Sequence, residues 1–156
     1  RHRPSLLALS RQNLPVLRVQ HSPENKSARG AYLIDGPESA DVTLFATGSE
    51  VEIAVNAKAR IEAAGRTARV VSVPCFELFF EQDEAYRAAT IGDSKVKVAI
   101  EAAVRQGWDA FIGSDGLFVG MHSFGASAPI EALYPYFGIT ADAAAEAALK
   151  RLGSNT

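Results

Sequence analysis

The chain has 156 residues, 47% of them hydrophobic and 22% charged, and a formal net charge of −2. That length fits one domain, or one domain with a short appendage, and the apolar share supports a packed core and excludes a disordered chain. The net charge argues against general nucleic-acid binding, and no apolar run approaches the ~20 residues that cross a bilayer, so neither nucleic acid nor a membrane is an expected partner.

Leu6-Leu7-Ala8-Leu9 reads as a buried-type strand, with Pro4 tolerated just before it. It has no partner in the residues that follow. Ser10–Arg29 is largely polar, carries Pro15 and Pro23, and lacks periodicity. A structureless loop of about twenty residues does not suit the inside of a compact domain. Residues 1–21 are therefore assigned to the end of a preceding domain, 22–29 to a linker and 30–156 to the domain proper. The arm is also basic: Arg1, Arg3, Arg11, Arg18, Lys26 and Arg29 stand against Glu24 alone, while acids outnumber bases in the rest of the chain. A solvated basic arm accounts for most of these charges, and one or two of them meeting an anion is the sharper alternative.

Gly30–Ile34 is a short strand closed by the turn signal Asp35-Gly36-Pro37, and the loop to Asp41 is too short for a crossover helix, so this strand is expected antiparallel at a sheet edge. Asp41–Pro74 then reads as strand, helix, strand. Val42–Ala46 is apolar on both faces, as in a parallel sheet covered on both sides. Ser49 is placed to cap a helix over Glu50–Ala64, with Glu52 completing a capping box. Ile53, Ala57, Ile61 and Ala64 share one face, and Gly65 is the stop before Val70–Val73. Phe76–Phe80 needs burial, in the core or against another domain. Gln82–Ala89 is helical, Lys95–Ile100 is the next strand, Trp108–Ile112 a short helix or turn, and Leu117–Val119 a last strand. Pro129–Phe137 is a helix with proline in its first turn. Thr140 caps a final helix that packs through Ala147, Ala148 and Leu152 and stops at Gly153.

The candidate chemistry is sparse. The Thr47-Gly48-Ser49 turn before a helix resembles a phosphate-binding loop, but it is no GxGxxG pattern, lacks a Walker lysine, and Ser49 is better read as a helix cap. His2, His21 and His122 are scattered without ligand spacing, and no partner carboxylate is evident for His122. Cys75, the only cysteine, permits no internal disulfide or cysteine metal cluster, which agrees with a cytoplasmic protein. The arm shows no apolar stretch and cleavage site of the secretory kind. Cys75 follows a strand end, where open α/β sheets bind ligands. No base or helix start activates it, so a small buried residue is the plainer reading. Glu101 stands just past a strand end and reads as a hydrogen-bonded structural acid or, less simply, a catalytic one. Arg11 leaves the end of an apolar run in Ser10-Arg11-Gln12-Asn13, and its planar fork of donors suits phosphate or carboxylate. An ordinary surface ion pair explains it equally well.

Three stretches, Leu9-Ser10-Arg11-Gln12-Asn13-Leu14-Pro15, Ala46-Thr47-Gly48-Ser49-Glu50-Val51 and Phe124-Gly125-Ala126-Ser127-Ala128-Pro129, occur in an order and spacing that, with Arg69–Pro74 and Tyr86-Arg87 between the second and third, resemble transketolase. The likeness covers essentially the whole chain, and the first stretch separates transketolase from related thiamine enzymes that share this domain. It implies the last strand of a pyrimidine-binding domain, a linker, and a C-terminal domain built as a three-layer α/β/α sandwich. The sandwich would hold a mixed, mostly parallel five-stranded sheet with one antiparallel edge strand. It further implies a cytoplasmic homodimer that transfers a two-carbon ketol unit from a ketose phosphate to an aldose phosphate, using thiamine diphosphate and Mg2+ (or Ca2+). The cofactor and metal ligands and the activating glutamate of that family fall in domains outside this chain. Only Arg11 is carried over, as a contact to the substrate phosphate, and the chain alone is expected to be inactive. The likeness extends to dihydroxyacetone synthase, a close relative with a different acceptor. A stand-alone ligand-binding or structural module is the alternative of a different class.

Overall fold

A computed structural model describes residues 4–154. Arg1, Arg3 and His2 lie outside the described residues. After a 3-10 turn at Lys26–Arg29 come β1 (Tyr32–Asp35), β2 (Val42–Ala46), α1 (Glu50–Ala63), β3 (Ala68–Ser72), α2 (Phe76–Phe80), α3 (Glu84–Ile91), β4 (Val96–Glu101), α4 (Asp109–Ile112), β5 (Leu117–Gly120), α5 (Ile130–Phe137) and α6 (Ala141–Ser154). The five strands form one sheet in the order β1-β3-β2-β4-β5. β2 is parallel to β3 and β4, β5 is parallel to β4, and β1 runs antiparallel to β3 at the edge, with a bulge between Leu33 and Asp35. This is the three-layer α/β/α arrangement that the sequence leads one to expect.

The alternation of side chains along a strand sorts the core into two halves. Val42, Leu44 and Ala46 of β2 face a cluster with α1 and α6, and Phe45 faces a second cluster with Phe79, Trp108 and Phe111. In the first half the contacts are small. Ala54, Ala57 and Ile61 of α1 and Ala144, Ala148 and Leu152 of α6 are buried. The apolar stripe of α1 is turned from the expected one: Ala57 and Ile61 lie in it, but Val51 and Ala54 complete it, Ile53 is half-buried and Ala64 is exposed. The reason is that α1 must cover the sheet and receive α6 at once. Gly65, at φ +77°, ends the helix; its N–H bonds to the Glu62 carbonyl at 2.9 Å and that of Arg66 to the Ile61 carbonyl at 3.2 Å, a Schellman closure. Thr140 caps α6 through the Ala143 N–H at 3.1 Å, but α6 runs on through Gly153, which does not stop it.

The second half is aromatic. Phe79 stacks on Phe111 at 4.9 Å, and Phe76 meets both Trp108 and Phe111 at 4.9 Å. Phe79 is fully buried while Phe80 stays 41% exposed, so the aromatic run divides its residues between core and surface.

The predicted strand Leu6–Leu9 does not form. Residues 4–10 join no sheet, and Leu6, Leu7 and Leu9 are more than four-fifths exposed. A strand exists only through its ladder, and no described strand lies beside this one.

Arg69 of β3 is a cation inside the fold. It is 2% exposed. Its Nη1 donates to the Glu38 carbonyl and its Nη2 to the Ala89 and Thr90 carbonyls at 3.2 and 3.0 Å. Three carbonyls therefore tie the β1–β2 loop and the end of α3 to the sheet. Gly92, at φ +70° and ψ 175°, makes room for it: a Cβ there would stand 2.7 Å from Arg69 Nη1. Only glycine holds that backbone conformation without strain. Gly92→Ala is therefore expected to destabilise the domain by about 1–3 kcal/mol in urea unfolding followed by circular dichroism.

Candidate functional site

The four parallel strands finish at one end of the sheet, where open α/β sheets hold their ligands. β2 leads there into Thr47–Ser49, β3 into Val73–Cys75, β4 ends on Glu101, and β5 leads into the loop Met121–Pro129. Ser49 begins α1, but not as predicted. Its backbone is helical (φ −64°, ψ −28°) and its hydroxyl receives no backbone N–H, so neither the cap nor the capping box with Glu52 forms. The hydroxyl donates instead to Glu50 Oε1 at 2.8 Å and stands 3.3 Å from the Tyr134 hydroxyl. Tyr134 in turn donates to the same Glu50 oxygen. Glu50 is only 5% exposed. An acidic side chain in the first turn suits the positive end of the helix dipole, and two hydroxyl donors answer the rest of its charge. Burial and the adjoining carboxylate push the Tyr134 hydroxyl up to about 12, so it remains a donor across the physiological range.

These residues face the amino-terminal arm across a cavity of about 690 Å3. Gln12, Asn13 and Leu14 form one wall; Ser49, Ile53 of α1 and Tyr134 of α5 form another. Pro129, the last residue of the third family-like stretch, is the residue from which α5 starts. The first two stretches, far apart in sequence, thus meet on one cavity, and the third leads into the helix that walls it. Arg11 immediately precedes this wall. It is exposed and has no hydrogen bond or ion pair among the described residues. A larger groove, about 780 Å3, runs between β1 and α3 beside Arg69 and includes none of the three stretches.

Elsewhere at this end, Glu101 accepts a bond from Trp108 Nε1 at 2.5 Å. Burial raises its carboxyl above the ordinary 4.5, with the charge of Glu50 adding to the shift and the indole bond opposing it. It is a hydrogen-bonded acid, and no described base joins it. Cys75, partly buried at the start of α2, donates through Sγ to Glu77 Oε2 at 3.3 Å. His122 is exposed and stands edge-on to Phe118 with ring centres 6.4 Å apart, and His21 is exposed on the arm. No group of three His, Cys, Asp or Glu among the described residues could hold a metal ion, and no described helix is long and apolar enough to cross a membrane. Sequence reasoning missed the partnership of Glu50 and Tyr134. Glu50 looks like any acid in a first helical turn, and Tyr134 like one more aromatic in a helix.

Because the folded state holds the Glu101 proton more tightly than the unfolded chain does, its contribution to stability is present at low pH and is lost as pH rises from 4.5 through the raised folded value. Trp108 is the only tryptophan and is bonded to that carboxylate. Its fluorescence is expected to titrate with a midpoint above 4.5, and Glu101→Gln should abolish the titration; a midpoint at or below the ordinary value would refute the assignment.

The Transketolase-like TK C-terminal domain family matches residues 30–140. The chain is 54% identical over 149 residues to transketolase of Cereibacter sphaeroides, covering 96% of this chain and 22% of that protein. It is 55% identical over 151 residues to transketolase of Sinorhizobium medicae, with coverages of 96% and 22%. Among solved structures, transketolase of Pichia stipitis in complex with sedoheptulose-7-phosphate superposes with a TM-score of 0.80 at 32% identity, over 91% of this chain and 20% of that one. The chain spans about a fifth of the length of the curated relatives it matches.

Proposed function

The chain belongs to the transketolase family, matched at the C-terminal domain, and we propose that it is the C-terminal portion of an enzyme that moves a two-carbon ketol unit from a ketose phosphate to an aldose phosphate. The observation that carries this reading is that the first two family-like stretches line one cavity at the carboxyl ends of the strands, walled by the helix into which the third leads. The domain supplies scaffold and support for a homodimer in the cytoplasm. The arm supplies one contact to substrate. Arg11 stands at a bend next to that cavity, and no carboxylate of the described residues neutralises it. Its planar fork is therefore free for two parallel hydrogen bonds to the oxygens of a sugar phosphate.

The described residues do not fit a divalent cation, nor does the Thr47-Gly48-Ser49 turn carry a lysine for a diphosphate. Thiamine diphosphate and Mg2+ (or Ca2+) belong, in this reading, to the rest of the polypeptide. When bound, thiamine diphosphate supplies the carbanion that accepts the ketol unit. Arg11 takes no part in that carbon chemistry; it fixes the far end of the sugar. A solved relative with a sugar phosphate bound supports the substrate class.

In the full-length enzyme, Arg11→Ala is expected to lower kcat/KM for phosphorylated substrates about ten- to a hundredfold, since a charge-assisted contact is worth roughly 1.5–3 kcal/mol. Hydroxypyruvate, which has no phosphate, should be little affected, and Arg11→Lys should recover only part of the loss. Equal losses for both substrate classes would defeat the assignment. The chain by itself should fold and show no ketol transfer with added thiamine diphosphate and magnesium; measurable transfer would show that this portion holds more of the site than proposed.

A further inference from the structure

Very little holds α5 in place. It has no fully buried residue, and the loop before it is exposed along nearly its whole length. Its apolar anchors are Tyr134 and Phe137, both only partly buried against the core. Its polar anchor is the bond from Tyr134 to the buried Glu50 carboxylate, reinforced by Ser49. A hydroxyl bonded to a carboxylate is among the stronger hydrogen bonds, and more so away from water. Tyr134 and Ser49 also line the cavity whose other wall is Gln12–Leu14. On its carboxyl side the arm is already fixed, because Leu17 packs against the core and the Arg18 guanidinium lies 5.9 Å from the Tyr32 ring centre. On the Arg11 side, the surface that faces the arm is the one that Tyr134 and Ser49 help to build.

We propose that Ser49, Glu50 and Tyr134 are positioning residues for Arg11. The three clamp α5 onto the amino end of α1, and the clamped helix forms the wall that sets the course of Gln12–Leu14 and so the reach of the guanidinium. The inference rests on the phosphate-binding reading of Arg11. It gives the C-terminal domain a part in selecting phosphorylated substrates, although none of its clamp residues touches one.

The test uses the full-length enzyme carrying Tyr134→Phe, which keeps the ring and removes the donor, with Glu50→Gln as a second way to weaken the clamp. Faster amide exchange at Ala132, Leu133 and Gly138 reports that α5 has been released. With the clamp released, KM for a phosphorylated ketose is expected to rise about three- to tenfold with kcat nearly unchanged, while KM for hydroxypyruvate stays constant. In a cycle with Arg11→Ala, the second substitution should add nothing further, because both act through one contact. Equal losses for the two donors together with a lowered Tm would mark the network as structural only and overturn the proposal, as would a released α5 with unchanged KM, or effects that multiply in the double variant. If Arg11→Ala shows its own phosphate selectivity while Tyr134→Phe does not, the positioning role alone falls. If Arg11→Ala shows none, the reading of Arg11 falls and this inference with it.

Discussion

Every residue of Val42–Ala46 is buried, and the strand is hydrogen-bonded along both edges. A strand so enclosed can present nothing to water, so both of its faces must be covered, and a parallel neighbour on each side requires crossovers that bring helices with them. The two halves of the core follow from that demand. One is filled by alanines, valines and isoleucines that let α1 and α6 approach closely; the other is filled by rings.

The two ends of the sheet use polar groups differently. Where the parallel strands begin, Arg69 spends its donors on three backbone carbonyls, and Thr43 bonds to Ser94 at 2.7 Å. These bonds run between side chain and backbone or between two buried hydroxyls, and they serve packing, although Arg69 Nε is left without a partner among the described residues. Where the strands finish, Glu50 and Glu101 are met by hydroxyls and an indole, next to a cavity and exposed loops. Both acids are held in the fold by neutral donors.

Regular structure was readable from the sequence because each element rests on a local rule. Gly65 ends α1 because it alone adopts φ +77° there at little cost, and the short loop after Asp35 forbids a crossover, which places β1 antiparallel at the edge. What was not readable depends on partners distant in the chain. Ser49 has the residue type of a helix cap, yet Glu50 competes for its hydroxyl once Tyr134, 84 positions away from Glu50, holds that carboxylate in place. Nothing in the sequence around Arg69 marks it for burial, and only the folded chain brings three carbonyls around it. At the candidate site the motifs themselves were legible, and the cavity that the first two share with α5 was not, because it depends on how α5 folds back over α1.

The direction of β1 decides where the arm arrives. Tyr32 pairs with Ser72, at the finish of β3, and Asp35 pairs with Val70, nearer its start. The polypeptide therefore joins the sheet on the side where the parallel strands end. Had β1 run parallel to β3, the linker would have docked at the opposite pole, farther by the length of a five-residue strand, roughly 16 Å at about 3.3 Å per residue. The arm would then have had to run back along the sheet before Gln12–Leu14 could face Ser49 and α5. A single reversed edge strand acts as a mooring, delivering a side chain from outside the domain to the pole where the domain's own loops gather.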